Sequence, residues 1–185
     1  MKTLMYLFVM ALIVMAGCAK DDTMLEAQDN LELKKAKVPI PFKGEFYAAP
    51  DMDSEPLTIT LPWGGNTNIP SRMIVKGTAS HFGRVNSEKS YYEFKTYQLY
   101  FDEGVLFSYN TGIGVIVGAN GDSMEFTWWV RQNRVTGDYY GDNEIVPGSG
   151  TGKFKGCTGS GKTVGWFHED GVGVAFKIDG LLVFE

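Results

Sequence analysis

Alternation of apolar and polar residues with a period of two constrains this fold more than any other feature of the chain. It is clearest at residues 57–61, 124–131 and 172–179. Successive side chains of a strand point to opposite faces, so this period predicts β-strands with one buried face. No window after residue 38 keeps an apolar stripe at helical spacing over ten residues. The sequence therefore predicts an all-β fold.

Glycine supplies the turns between these strands. The chain has 23 glycines in 185 residues, about 12%, where about 7% is usual. Asn120-Gly121 lies between two strand-like runs and predicts a hairpin with a type I′ turn. Further strand-like runs occupy residues 72–79, 91–101, 104–109, 111–118 and 162–168.

About eight to ten antiparallel strands fit either a closed barrel or a sandwich. Closure favours the barrel, because it removes the exposed strand edges that make aromatic β-segments prone to aggregate. Gly112, Gly114 and Gly118 share one face of one run, where a coiled strand needs small residues. We therefore predict a single antiparallel β-barrel of about eight strands.

The N-terminal residues MKTLMYLFVMALIVMAGC have the pattern of an export signal. Lys2 supplies the positive charge, and Leu4 to Ala16 form an uncharged apolar run of 13 residues. A membrane-spanning helix needs about 20 such residues, so the run suits the apolar region of a signal peptide. The last four residues of this segment indicate which kind of signal peptide it is.

Met15-Ala16-Gly17-Cys18 resembles the lipobox of bacterial lipoproteins. That resemblance implies cleavage before Cys18 and attachment of a lipid to its thiol, so that the protein contacts the membrane through a lipid anchor. The alternative is an ordinary secretory signal that happens to contain a cysteine. Lys20-Asp21-Asp22 is similar to a surface-export signal of one group of Gram-negative bacteria. We expect an outer-membrane lipoprotein that faces either the cell surface or the periplasm.

Three segments follow from this interpretation. Residues 1–17 are predicted to be the signal peptide, and residues 18–37 a lipidated, charged tether without aromatic residues. Residues 38–185 are predicted to form the β-barrel domain. The net charge of −5 lacks the basic character of nucleic-acid binders, so we expect no nucleic-acid partner.

Gly156–Thr163 matches the phosphate-binding pattern G-x-x-x-x-G-K-[ST]. That pattern binds phosphate only when a helix follows it. Here Val164-Gly165-Trp166-Phe167 follows, which is typical of a strand, so we predict no nucleotide. The chain has two histidines, His81 and His168, and no His or Cys spacing typical of a metal site. We predict no metal, no cofactor and no catalytic residue.

Three further segments occur in order: Thr78–Arg84, Ala119–Asp122 and Gly150–Gly159. They resemble signatures of an uncharacterised family of secreted bacterial proteins, itself similar to the calycin-type barrel of plant allene oxide cyclases. The resemblance implies that barrel, and it carries no catalytic residues to this chain. It implies structural roles for His81, Gly83, Asn120, Gly121, Asp122, Gly150, Gly152, Phe154, Gly156 and Gly159.

Two rows of side chains are predicted to line the barrel interior: Met124, Phe126, Trp128 and Val130 in one, Val172, Val174, Phe176 and Ile178 in the other. Trp129, adjacent to Trp128, should then face outward.

We expect a non-catalytic surface or interaction module. The alternative is a barrel that binds a small apolar ligand in its interior, and a cyclase-like or isomerase-like enzyme is a third hypothesis. An open, aromatic-lined cavity with few polar groups would favour the ligand binder. Convergent titratable groups in a cavity would favour the enzyme.

Overall fold

The alternating segments form eleven antiparallel strands in the computed structural model, which describes residues 38–184. They are β1 (Ile40–Pro50), β2 (Pro56–Thr60), β3 (Asn66–Pro70), β4 (Arg72–Ala79), β5 (Gly83–Arg84), β6 (Tyr91–Asp102), β7 (Val105–Val117), β8 (Ser123–Asn133), β9 (Tyr139–Ile145), β10 (Thr158–Phe167) and β11 (Val174–Val183). One short 3-10 turn, Gly152–Phe154, is the helical element of the described residues. The all-β prediction is confirmed.

Eight of these strands close into a barrel-like ring. Their order is β1-β11-β10-β9-β8-β7-β6-β4, and β4 pairs again with β1. Phe46 of β1, for example, pairs with Phe176 on one side and with Gly77 on the other. Strand β5 extends the sheet beside β4, and β2 with β3 forms a separate hairpin in the connection from β1 to β4. The prediction of an antiparallel, barrel-like fold of about eight strands is confirmed.

The signal peptide, the lipidation site Cys18 and the tether were predicted for residues 1–37, which lie outside the described residues. Within the described part of the chain, no helix is long and apolar enough to cross a membrane.

Two local predictions need correction. The runs 104–109 and 111–118 are one strand, β7, because Asn110 stays in the ladder opposite Val130. The hairpin at Asn120-Gly121 forms, but of its two residues Gly121 alone has a positive φ, of 90°. Its amide donates to the Gly118 carbonyl, at 3.0 Å, so the loop is a three-residue turn closed by a left-handed glycine rather than type I′.

The connections divide between two ends of the ring. We call one the open end; it holds the connections at residues 51–71, 103–104, 134–138 and 168–173. We call the other the closed end; it holds those at residues 80–90, 118–122 and 146–157.

Aromatic side chains fill the interior at the closed end. The Phe82 ring stacks on the Phe154 ring with centroids 4.0 Å apart. Phe42 meets Phe82 edge to face at 6.4 Å. Phe154 and the Cys157 thiol are fully buried, and burial raises the pKa of Cys157. This half of the interior is a packed core.

Candidate functional site

The inner face of β7 carries small residues where its neighbour β8 carries large ones. Gly112 pairs with Trp128, and Gly114 pairs with Phe126. A Cβ atom on Gly112 would overlap the Trp128 ring, and one on Gly114 would overlap the Phe126 ring. The two glycines therefore allow the aromatic rings to lie across the interior. The Trp128 ring forms the floor beneath the open end, and the Phe126 ring belongs to the core.

Above this floor lies a cavity of about 470 Å³. Ligand sites in proteins commonly measure about 300–1,000 Å³, so the cavity is large enough for a small molecule. Its walls are mainly apolar and aromatic, with contributions from Tyr92, Phe94, Tyr97, Trp128, Tyr139 and Phe176. Ile69 and Pro70 of the β2–β3 hairpin also line it, as do residues of the connection 168–173. The cavity therefore lies towards the open end.

Three buried polar atoms of cavity-lining residues have no hydrogen-bond partner among residues 38–184. They are the Trp128 Nε1–H, the Tyr92 hydroxyl and the Asn110 Oδ1. Trp128 and Asn110 are each more than nine-tenths buried. Leaving one such group unpaired costs about 1–3 kcal/mol. A donor, an acceptor and a hydroxyl that can act as either are thus buried and unpaired in the neighbouring strands β8, β7 and β6, each with essentially no exposed surface.

The cavity offers these hydrogen bonds with little charge. Burial raises the pKa of Tyr92 and the pKa of Tyr139, so both phenols are neutral at physiological pH. Arg134 is the one ionised side chain among the described lining residues. It belongs to the connection 134–138, its guanidinium donates to Gln132 Oε1 at 2.6 Å, and it lies 5.2 Å from the Phe167 ring centroid. The inner wall is therefore neutral, with one cation at the open end.

The predicted interior residues fall into three groups. Trp128, Val130, Val174 and Phe176 line the cavity. Met124, Phe126 and Ile178 are buried in the core.

Val172 was predicted wrongly as a member of the inner strand row. It is 65% exposed and precedes β11, which begins at Val174. The Asp170 carboxylate accepts the backbone N–H groups of Val172 and Gly173, at 2.9 and 3.0 Å. That capture turns the chain before the strand alternation begins, so Val172 contributes only to the cavity edge.

Trp129 lies on the outer face, opposite in direction to Trp128. Its ring stacks against Tyr109 with centroids 6.0 Å apart and meets Tyr140 edge to face at 6.1 Å. The register assigned to β8 from the sequence thus matches the structure.

Sequence reasoning missed Tyr92, Tyr97, Asn110 and Tyr139 as cavity residues. A register shift between Phe94 and Thr96 breaks the alternation of β6, so Tyr97 follows Phe94 onto the cavity wall after three residues rather than two. The position of Asn110 could have been predicted, because it lies on the same face of β7 as Gly112 and Gly114. It was missed because a polar side chain is not expected to face the interior.

The three segments with a family resemblance meet at the closed end, away from the cavity. The Ala119 N–H donates to the Arg84 carbonyl at 3.1 Å, and the Phe82 ring stacks on Phe154. His81 adopts a φ of 69°, and its Nε2 lies 3.1 Å from the Pro41 carbonyl oxygen. Glycines also have positive φ angles in this region: Gly83, Gly121, Gly152, Gly156 and Gly159.

Asn120, Asp122 and Gly150 complete the contacts among these segments. The Asn120 side-chain amide donates to Asp122 Oδ2 at 2.7 Å, and the Asp122 N–H donates to Asn120 Oδ1 at 3.1 Å. A Cβ atom on Gly150 would overlap the Phe154 backbone. These residues hold loops together, and none of them lines the cavity.

The phosphate-type pattern Gly156–Thr163 lies mostly in strand β10, which continues to Phe167. The Lys162 ammonium is exposed and forms an ion pair with Asp142 on the outer wall. No helix start follows to receive a phosphate. Among residues 38–184, no three His, Cys, Asp or Glu side chains come together as a metal site requires.

A hydrogen-bonded cluster holds the connection 168–173 against β1. The Tyr47 hydroxyl donates to Asp170 Oδ2 at 2.5 Å, and His168 Nδ1 lies 3.1 Å from the same oxygen. The backbone N–H of Gly173, the Tyr47 hydroxyl and the N–H of Val172 lower the pKa of Asp170. This carboxylate therefore stays ionised and orders one edge of the cavity.

No protein-family model, curated protein or solved structure matches this chain. The class defined by the fold and the site is an antiparallel, barrel-like protein with an aromatic cavity at one end.

Proposed function

We propose that this protein binds a small, largely apolar molecule that carries a neutral polar group, in the cavity at the open end. The observation that carries the proposal is a cavity of about 470 Å³ with a mainly apolar wall, in which Trp128 Nε1, Tyr92 OH and Asn110 Oδ1 are buried and unpaired. A ligand group that reached one of these atoms would satisfy a buried donor or acceptor that has no partner among the described residues. Each such hydrogen bond contributes about 0.5–1.5 kcal/mol.

A neutral group fits this wall better than an ion. An isolated charge transferred to a low-dielectric site is strongly disfavoured without a partner. The polar atoms near Trp128 are uncharged, and Arg134 stands in a connection at the open end. The ligand class that this supports is an alcohol, phenol, ketone or amide on an apolar frame.

We favour ligand binding over a surface module without a pocket, because the structure has a cavity of about 470 Å³ towards the open end. The enzyme hypothesis gains no support from the cavity. None of its described lining residues is Asp, Glu, His, Lys or Cys, so no acid–base pair faces the space where a substrate would lie.

The membrane anchor remains a proposal from the sequence. Met15-Ala16-Gly17-Cys18 supports lipidation at Cys18, and Lys20-Asp21-Asp22 supports export to the outer membrane, with either the surface or the periplasm as the final side. The family resemblance of the closed-end segments supports a calycin-type barrel in a secreted protein. Their convergence on one set of loops agrees with that proposal.

Titration with the neutral fluorophore N-phenyl-1-naphthylamine tests cavity binding. Val130→Phe places a ring in the cavity, whereas the matched Val164→Phe adds the same ring to the exposed outer wall. We expect saturable binding at one site, a loss of at least about tenfold in affinity for Val130→Phe, and a change of less than about twofold for Val164→Phe. Unchanged affinity in a folded Val130→Phe protein would contradict the proposal.

Competition by naphthalene, 2-naphthol and 2-naphthoate then tests the neutral polar group. We expect 2-naphthol to compete about tenfold better than naphthalene, since it adds a hydrogen bond worth roughly 1.4 kcal/mol. The charged 2-naphthoate should be the weakest competitor. Trp128→Phe removes the indole donor and should reduce the advantage of 2-naphthol. Equal competition by all three compounds would leave an apolar cavity without the proposed polar specificity.

A further inference from the structure

In the connections between strands, large apolar side chains are exposed at the open end and buried at the closed end. Four of them in the open-end connections are each more than half exposed: Met52, Trp63, Val135 and Val172. Phe101, also more than half exposed, lies just before the turn at residues 103–104. In the closed-end connections the large apolar side chains, such as Phe82, Val85 and Phe154, are buried. Val38 and Ile40, at the start of the described chain, are exposed apolar residues at the closed end. The connections of the open end therefore carry exposed apolar surface, unlike ordinary solvated loops.

Charge divides between the same two ends. The open-end connections hold seven acidic residues and a single basic one, Arg134. The closed-end connections, with β5 included, hold two acidic residues and four basic ones. The acidic residues of the open end are Asp51, Asp53, Glu55, Glu103, Asp138, Glu169 and Asp170. The exposed apolar side chains are thus interspersed with negative charge.

We propose that the open end is a docking surface for a basic, apolar segment of a partner protein. Exposed apolar side chains gathered at one place mark interaction sites. Complementary charge selects the partner and speeds its encounter, so a surface with this excess of carboxylates favours lysine and arginine. The anionic lipids of a membrane surface carry the same sign as these connections and would repel them. A second copy that presented its own open end would do the same.

Docking at this end would also cover the cavity. Val172 is exposed and at the same time lines the cavity edge. A partner that buries Val172 and the neighbouring connections therefore restricts exchange between the cavity and solvent. The docking proposal rests on the exposed connections alone and does not depend on cavity binding.

A fluorescein-labelled, 18-residue amphipathic peptide of lysine and leucine is a suitable probe, because it combines the two required chemistries. We expect fluorescence anisotropy to report saturable binding that weakens with added salt. The same peptide with glutamate in place of lysine should bind at least about tenfold more weakly. Equal binding of the two peptides would overturn the proposal.

Two sets of substitutions locate the binding surface. The open-end variant combines Met52→Thr, Trp63→Thr, Val135→Thr and Val172→Thr, all outside the ring strands. The wall variant combines Val164→Thr, Trp166→Thr and Leu181→Thr, which are exposed apolar residues of β10 and β11. We expect the first to lose at least about tenfold in peptide affinity and the second to stay within about twofold.

A third variant tests the charge. Asp53→Asn with Glu55→Gln and Glu169→Gln removes three exposed carboxylates without changing the apolar side chains. We expect it to bind the lysine peptide more weakly and with less dependence on salt. An equal loss in the wall variant would show non-specific adhesion and overturn the proposal. So would tighter binding to phosphatidylcholine vesicles than to the peptide, if the open-end variant abolished it, because the occupant would then be a bilayer.

Discussion

Replacing Trp128 by alanine tests whether its ring is part of a packed core or the floor of a cavity. The side chain is 8% exposed. Its ring meets Tyr92 with centroids 5.8 Å apart and Phe94 at 5.5 Å. Towards the open end it borders the cavity, and its Nε1–H has no partner.

The expected loss of stability follows from these contacts. Truncation of a fully packed Trp or Phe to alanine costs about 3–5 kcal/mol, so about 4 is the starting value. Removing an unpaired buried N–H returns about 1 kcal/mol. We therefore expect Trp128→Ala to lower the free energy of unfolding by about 3 kcal/mol. Phe126→Ala, two residues away on the same face and 3% exposed, should cost about 4 kcal/mol.

Urea unfolding followed by circular dichroism measures both losses, and titration with N-phenyl-1-naphthylamine measures binding. We expect Trp128→Ala to change probe affinity by at least about fivefold, and Phe126→Ala to change it less in protein that remains folded. Trp129→Ala on the outer wall is the control and should cost about 1 kcal/mol without affecting the probe. A Trp128→Ala protein with a larger stability loss than Phe126→Ala and unaltered probe binding would refute the cavity-floor interpretation.

Three other predictions follow from the structure and the sequence. Asp170→Asn should lower the urea midpoint at about pH 7, and the difference from the parent should shrink towards about pH 2.5. The reason is that folding lowers the pKa of this carboxylate, so its ionised form stabilises the fold above the unfolded pKa of about 3.9, and this effect is lost as the pH falls. An equal difference in midpoint at both pH values would contradict this. Gly159→Ala should cost more than about 1 kcal/mol by the same unfolding assay, because Gly159 has a φ of 151° and a Cβ there would overlap the Leu181 carbonyl; an unchanged midpoint would exclude that strain. Cys18→Ala should move the mature protein from the detergent phase to the aqueous phase in a Triton X-114 partition, and continued detergent partition would rule out the lipid anchor.

Much of the strand architecture could be read from the chain, because a period of two determines which side chains share a face. Strand β4 was predicted at residues 72–79, and the structure has Arg72–Ala79. The opposite orientations of Trp128 and Trp129 follow from the same parity. The prediction failed at Val172, where Asp170 captures two backbone N–H groups and delays the start of β11.

The cavity could not be predicted from the chain. Whether a ring interior is full or open depends on which side chains meet across it, and those partners are distant in sequence. Tyr92 of β6 meets Phe126 of β8 and Phe176 of β11, and Gly112 and Gly114 of β7 let the Trp128 and Phe126 rings lie across the interior. The register shift after Phe94 adds Tyr97 to the wall, and no local pattern announces it.

The order of neighbouring residues is enough to predict most strands, most of their inward and outward faces and the candidate export signal. That the ring is packed at one end and open at the other, and that Trp128, Tyr92 and Asn110 each keep a buried, unpaired polar atom, emerges only once the strands are assembled. Packing and hydrogen bonding across the interior join strands that are far apart along the chain, so no local pattern records them.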